Sequence, residues 1–143
     1  MLKWSEKLET GHLLIDAQHR MLISYINRLE GFAQNASPSR EEIELSMRLI
    51  EFLETYILTH FKEEEDCMHR FRCPAHRENK QAHHEFLEYF REFKLRIAST
   101  GGHSGLVKEL HESCSIWIQR HILRIDSELK TCLNRPPAPD EPE

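Results

Sequence analysis

The chain has 143 residues, 39% hydrophobic and 30% charged, and a formal net charge of -5 with histidine neutral. That length suits one domain with one sizeable core. The acidic balance and the lack of a basic stripe argue against a nucleic-acid partner, and no apolar run approaches the roughly 20 residues of a membrane span. The N-terminal MLKWSEKLETGH has no apolar stretch of the kind a secretion signal needs. Cys67, Cys73, Cys114 and Cys132 contain no C-x-x-C pair, so a reducing cytoplasm without a disulfide framework is the expectation. Ten histidines are dispersed along the chain rather than gathered at an end, and such enrichment points toward metal.

An arm of about 11 residues carrying Trp4 precedes the first periodic segment. That segment, 12–33, repeats Ile15, Leu22, Ile26 and Leu29 at three- and four-residue intervals and stops at QNASPS. The second, 39–70, opens on Ser39 as N-cap with Glu41 and Glu42 in the first turn, where the helix dipole favours acids. Its apolar stripe is Ile43, Met47, Ile50, Leu53, Ile57 and Phe61. Cys73-Pro74 marks the next boundary, because the residue before proline is disfavoured in helix. The third segment, 74–98, carries Phe86, Phe90, Phe93 and Ile97 and ends at STGG. The fourth, 104–133, is read as one helix with Leu106, Leu110, Trp117, Ile118, Ile122, Ile125 and Leu129. Nothing strand-like competes, and short connections make neighbours antiparallel. The predicted architecture is all-α: an up-down-up-down antiparallel four-helix bundle with an N-terminal arm, spanning 1–133. The remaining 134–143, NRPPAPDEPE, reads as a Pro-rich acidic linker or tail.

The stretch THFKEEEDCMHR at 59–70 places four acids in a row with a histidine on either side. His60 and Glu64 are four apart and continue the stripe of Ile50, Leu53 and Ile57, so both point inward. Glu63, Glu65 and Asp66 are then expected to be ordinary solvated charges. His19 falls among Ile15, Leu22 and Ile26, His83 precedes Phe86 and Phe90, and His121 lies between Trp117 and Ile125, all inward. Asp126, five after His121, is about 140° round an α-helix and is expected to approach from the flank. Buried carboxylates without partners are very costly, so two of them call for a cation. Mixed imidazole and carboxylate suits iron, manganese or zinc rather than calcium, and two bridging acids suit a pair of metals. His12, His69, His103 and His111 are expected at the surface or in local hydrogen bonds.

With GHLLIDAQHRMLISYINRL at 11–29, HFKEEE at 60–65, NKQAHHEF at 79–86 and WIQRHILRID at 117–126, the chain resembles a bacterial hemerythrin domain. The resemblance implies two non-haem irons, oxo- or hydroxo-bridged. Glu64 and Asp126 would be the bridges; His19, His60, His83 and His121 the terminal ligands. The family's third helix carries His-x-x-x-His, and here Asn79 stands at the first position. Asn79 is therefore a vacant or weak ligand position; the competing expectation is that His76, one turn earlier, fills it. Dioxygen or small anions are the implied ligands. Family members are often fused to signalling domains, including diguanylate cyclases that make cyclic-di-GMP. The expected function is oxygen or redox sensing on behalf of a C-terminal output domain, in the cytoplasm. A reversible dioxygen carrier or store, and a di-iron oxidase or peroxidase, are the alternatives; no acid, base or substrate cleft dedicated to catalysis is evident.

Overall fold

The structure, a computed structural model, describes residues 1–102 and 104–134. The expected surface role of His103 and the linker at 135–143 lie outside them. The arm runs over the bundle with a single 3-10 turn at Glu6–Leu8. Leu2, Trp4 and Leu8 pack on the core, and Asn27 in the first helix grips the backbone of Leu2 in both directions, its Oδ1 accepting at 3.1 Å and its Nδ2 donating at 2.8 Å. Asp16 closes the turn before that helix by accepting from Thr10 N and Oγ1, both at 2.8 Å.

Four long helices follow: α1 (Leu13–Ala33), α2 (Arg40–Arg70), α3 (His76–Ser99) and α4 (Ser104–His121). Each starts or stops where its local chemistry dictates. His12 caps α1, its Nδ1 accepting from Ile15 N, and Ser39 caps α2 by accepting from Glu42 N at 3.1 Å. Gly102, at φ +87°, sits so close to Ile43 that any Cβ would collide with that side chain, so glycine is required by both conformation and space. α1 packs against α2 and α4, α2 against α3, and α3 against α4, which closes the four-helix ring. Isoleucine, leucine and phenylalanine from all four fill one core, including Leu22, Leu53, Phe90 and Leu110, each at most 1% exposed. Among the described residues no helix is long and apolar enough to cross a membrane.

Two expectations need correction. The segment 104–133 is not one uninterrupted α-helix: after α4 the chain winds through a π-helical turn, Ile122–Asp126, and then a short α5, Glu128–Leu133. Ser127 N donates to Ile122 O at 2.9 Å, the i→i+5 bond of that turn. Nor are the cysteines without a cross-link. Cys73, in the loop between α2 and α3, and Cys132, in α5, form a disulfide with Cα atoms 5.5 Å apart. Their separation of 59 residues hides the pair in the sequence; only the docking of α5 beside that loop brings them together. Cys67 and Cys114 remain buried thiols, and burial pushes Cys114 up to about 12. Cys67, Cys73 and Cys132 join Ile15, Met68, Ile125 and Leu129 in a second, smaller core at this end of the bundle.

Candidate metal centre

Between the two cores the bundle turns polar. α1 supplies His19, α2 supplies His60 and Glu64, α3 supplies His83, and His121 and Asp126 come from α4 and the π-helical turn; all six are at most 4% exposed. The i,i+4 spacing of His60 and Glu64 puts both on one face, as expected. The π-helical turn does the corresponding work for His121 and Asp126. Its extra residue per turn brings a five-residue spacing back onto one face, and His121 Nε2 lies 3.1 Å from Asp126 Oδ1. Asp126 therefore does not reach in from the flank; it stands over His121.

The two carboxylates divide the centre into halves. Glu64 Oε2 lies 3.0 Å from His19 Nε2 and 3.2 Å from His60 Nε2, while Asp126 Oδ2 lies 3.1 Å from His19 Nε2. On the other side, Glu64 Oε1 lies 3.1 Å from His83 Nε2 and Asp126 Oδ1 faces His121. The Nε2 atoms of His83 and His121 come within 3.1 Å of each other. Each half thus gathers two imidazole nitrogens and one oxygen from each acid, and within each group of four residues the candidate ligand atoms lie within 4.8 Å of one another.

The charges in this buried cluster do not balance by hydrogen bonding alone. Nδ1 of His19 and Oδ1 of Asn79 are buried without a hydrogen-bond partner, and both oxygens of Asp126, though 3.1 Å from imidazole nitrogens, make no well-aligned hydrogen bond, a cost proteins normally avoid. Burial opposes protonation of His19, yet Asp126 and Glu64 outweigh it and raise the imidazole to about 10. His121 is raised to about 9 in the same way, with Asp126 the main partner. Burial also opposes ionisation of Glu64, but the surrounding histidines, His60 first, hold it well below the usual carboxylate range. His60 itself is lowered by burial. Protons on imidazole thus compensate the acids where cations would otherwise sit, so this donor set fits metal.

The outward nitrogens are also engaged. His60 Nδ1 donates to Gln18 Oε1 at 2.7 Å, and Gln18 Nε2 in turn donates to Glu63. His83 Nδ1 donates to Glu65 Oε2 at 2.9 Å. Of the acids assigned to solvent, only Asp66 is exposed; Glu63 and Glu65 turn back toward the histidines of the centre. Phe61 stacks on His83 with ring centroids 3.7 Å apart, and Trp117 stacks on His121 at 4.3 Å. Sequence reasoning missed Gln18, Glu63 and Glu65 because their partners lie on other helices.

Asn79 occupies the expected place, one turn before His83, and is fully buried. Its Nδ2 donates to Glu64 Oε1 at 2.9 Å and to Met68 Sδ at 3.2 Å. The reverse amide orientation would set two oxygens against each other. His76 is half-buried at the start of α3, its ring 5.2 Å from that of His69, and belongs to neither group. A surface groove of about 800 Å³ is lined by Arg77, Glu78, Lys80, His84 and Arg124 among others and by none of the six.

This fold and donor set define a helical cation-binding domain. The family described as "Hemerythrin HHE cation binding domain" matches residues 10–133. The bacteriohemerythrin of Pseudomonas aeruginosa (strain LESB58) is 31% identical over 126 residues, covering 88% of this chain and 77% of that protein. The bacteriohemerythrin of Stenotrophomonas maltophilia (strain R551-3) is 28% identical over 122 residues, covering 85% and 74%, and that of Clostridium acetobutylicum is 26% identical over 128 residues, covering 90% and 98%. The chain belongs to the hemerythrin family.

Proposed function

We propose that the domain binds two non-haem irons and, through them, dioxygen or small anions. The observation that carries this reading is the division of Glu64 and Asp126 into one oxygen for each half, with two imidazoles on either side. His19 and His60 would hold one ion and His83 and His121 the other. When bound, a ferrous pair supplies reversible dioxygen chemistry. What this chain adds is a dry, aromatic-walled enclosure. A gap of about 10 Å³ is walled by apolar side chains including Phe61, Phe86 and Trp117, and two of these rings stack on His83 and His121. That gap is room for about one water-sized molecule, which favours a small-ligand binding module over an enzyme acting on an organic substrate.

Within that reading, the role is to sense oxygen or redox state and bias an attached output domain, cyclic-di-GMP synthesis being one candidate. Its support is positional. Asp126 sits in the turn that leads directly into α5 and the C-terminal residues, so ligand state at the bridge and the exit path of the chain share one segment. Metal analysis of protein matured in iron-replete cells tests the centre. Two irons per chain with near-ultraviolet absorption of a ferric pair are expected; one zinc per chain without that absorption overturns it.

A further inference from the structure

The two halves are matched in their inward atoms and differ in what stands behind them. His60 is backed by the neutral amide of Gln18, with Glu63 one bond further out. His83 is backed directly by the carboxylate of Glu65, whose side chain is 20% exposed. A carboxylate only accepts, so Glu65 fixes the proton of His83 on Nδ1 and leaves the Nε2 lone pair aimed at Glu64 Oε1, 3.1 Å away. The ring has little freedom besides: Phe61 lies flat against it, 2° from parallel. A charged acceptor makes a stronger hydrogen bond than a neutral one, and such a partner both orients a ligating imidazole and raises its basicity.

We propose that Glu65 is a positioning residue that makes the His83–His121 half the tighter of two unequal metal sites, with Gln18 playing the weaker, neutral counterpart behind His60. This rests on the two-metal reading above. The asymmetry also compensates for Asn79. That residue lies on the same side, bonded to Glu64 Oε1, and brings an amide where an imidazole would bind more strongly. A carboxylate behind His83 strengthens the half in which an amide stands at the place of a third imidazole.

The test uses Co(II) alone, titrated into the metal-free full chain and followed by calorimetry. Trp117 stacks on His121, so its fluorescence is quenched most strongly by a paramagnetic ion in that half. The chain has two tryptophans, and a Trp4→Phe background leaves Trp117 as the only reporter. Two binding steps are expected, with Trp117 quenched in the first equivalent. Glu65→Ala should weaken that step about 10- to 100-fold and leave the other within about twofold. Glu65→Gln, which keeps an oxygen acceptor and loses the charge, should fall between wild type and Glu65→Ala. Gln18→Ala should weaken the step that quenches Trp117 less. Circular dichroism checks folding; if Glu65→Ala does not fold, the near-isosteric Glu65→Gln decides. Unchanged affinity in both variants, equal weakening of both steps, or quenching confined to the second equivalent in wild type overturns the proposal. Failure of the wild type to take up two ions is a different result and removes the two-metal reading itself.

Discussion

Asn79 shows how much one side chain can decide. Its amide holds Glu64 through Nδ2 and leaves Oδ1 without a partner in a fully buried position. An imidazole there would share a face with His83, since residues four apart on a helix do. Asn79→His is therefore expected to tighten metal binding in the His83–His121 half and to remove one position open to azide. The check is an azide titration of the diferric protein, which should show one fewer binding event; unchanged azide binding with unchanged metal affinity would mean that position 79 does not face the ion. His76→Ala, by contrast, is expected to leave metal content untouched, because His76 packs against His69 outside both groups.

At the scale of elements, the π-helical turn is what the centre depends on most. In an α-helix a five-residue spacing separates His121 and Asp126 by about 140°, whereas four residues separate them by about 40°. Deleting the exposed Leu123 should convert Ile122–Asp126 to ordinary α-helix, keep the aspartate over the histidine, and retain two metal ions per chain. Inserting one alanine after Leu123 lengthens the spacing to six, about 240° of an α-helix, and should abolish the second ion. Metal per chain distinguishes the outcomes, and loss in both variants would show that the turn does more than set spacing. The start of α2 at Ser39 was legible from its capping chemistry, and the inward faces of His19, His60, Glu64, His83 and His121 because each follows from a 3.6-residue period on its own segment. The π turn was not legible, since periodicity assumes regular winding. The Gln18–His60 and Glu65–His83 bonds were not legible either. They join helices whose rotation and relative height are set by packing, to which no single segment's pattern is sensitive.

For the whole molecule, the centre couples stability to metal and pH. Without metal, His19 and His121 carry protons that pair with Glu64 and Asp126. Their folded values, about 10 and about 9, lie above the ordinary 6.5. That stabilisation is complete below about 6.5 and is lost as pH rises through 9 to 10. Glu64 is depressed from 4.5, so its contribution is present above that value and disappears as pH falls through its lowered range. His60, lowered from 6.5 by burial, costs stability as pH falls below that value, so the metal-free bundle is expected to melt highest near pH 6.5 and progressively lower toward about pH 10. Metal replaces the protons, so the gap in melting temperature between loaded and chelated protein should widen with pH. Thermal unfolding followed by circular dichroism measures this, and a gap independent of pH would count against proton-compensated acids at the centre.

The bond between Cys73 and Cys132 makes part of the molecule a ring. Inside the ring fall Asn79, His83, His121 and Asp126; outside it, on the open strand leading in, fall His19, His60 and Glu64. The two halves of the centre thus belong to topologically different stretches of the same polymer. With the bond intact, a single nick between α3 and α4 opens the ring without releasing a fragment, and the His83–His121 half stays tethered to its own scaffold. With the bond reduced, the same nick frees everything beyond it to leave. The chain's oxidation state at these two buried sulfurs thus decides whether a cut to the backbone is a scar or a severance.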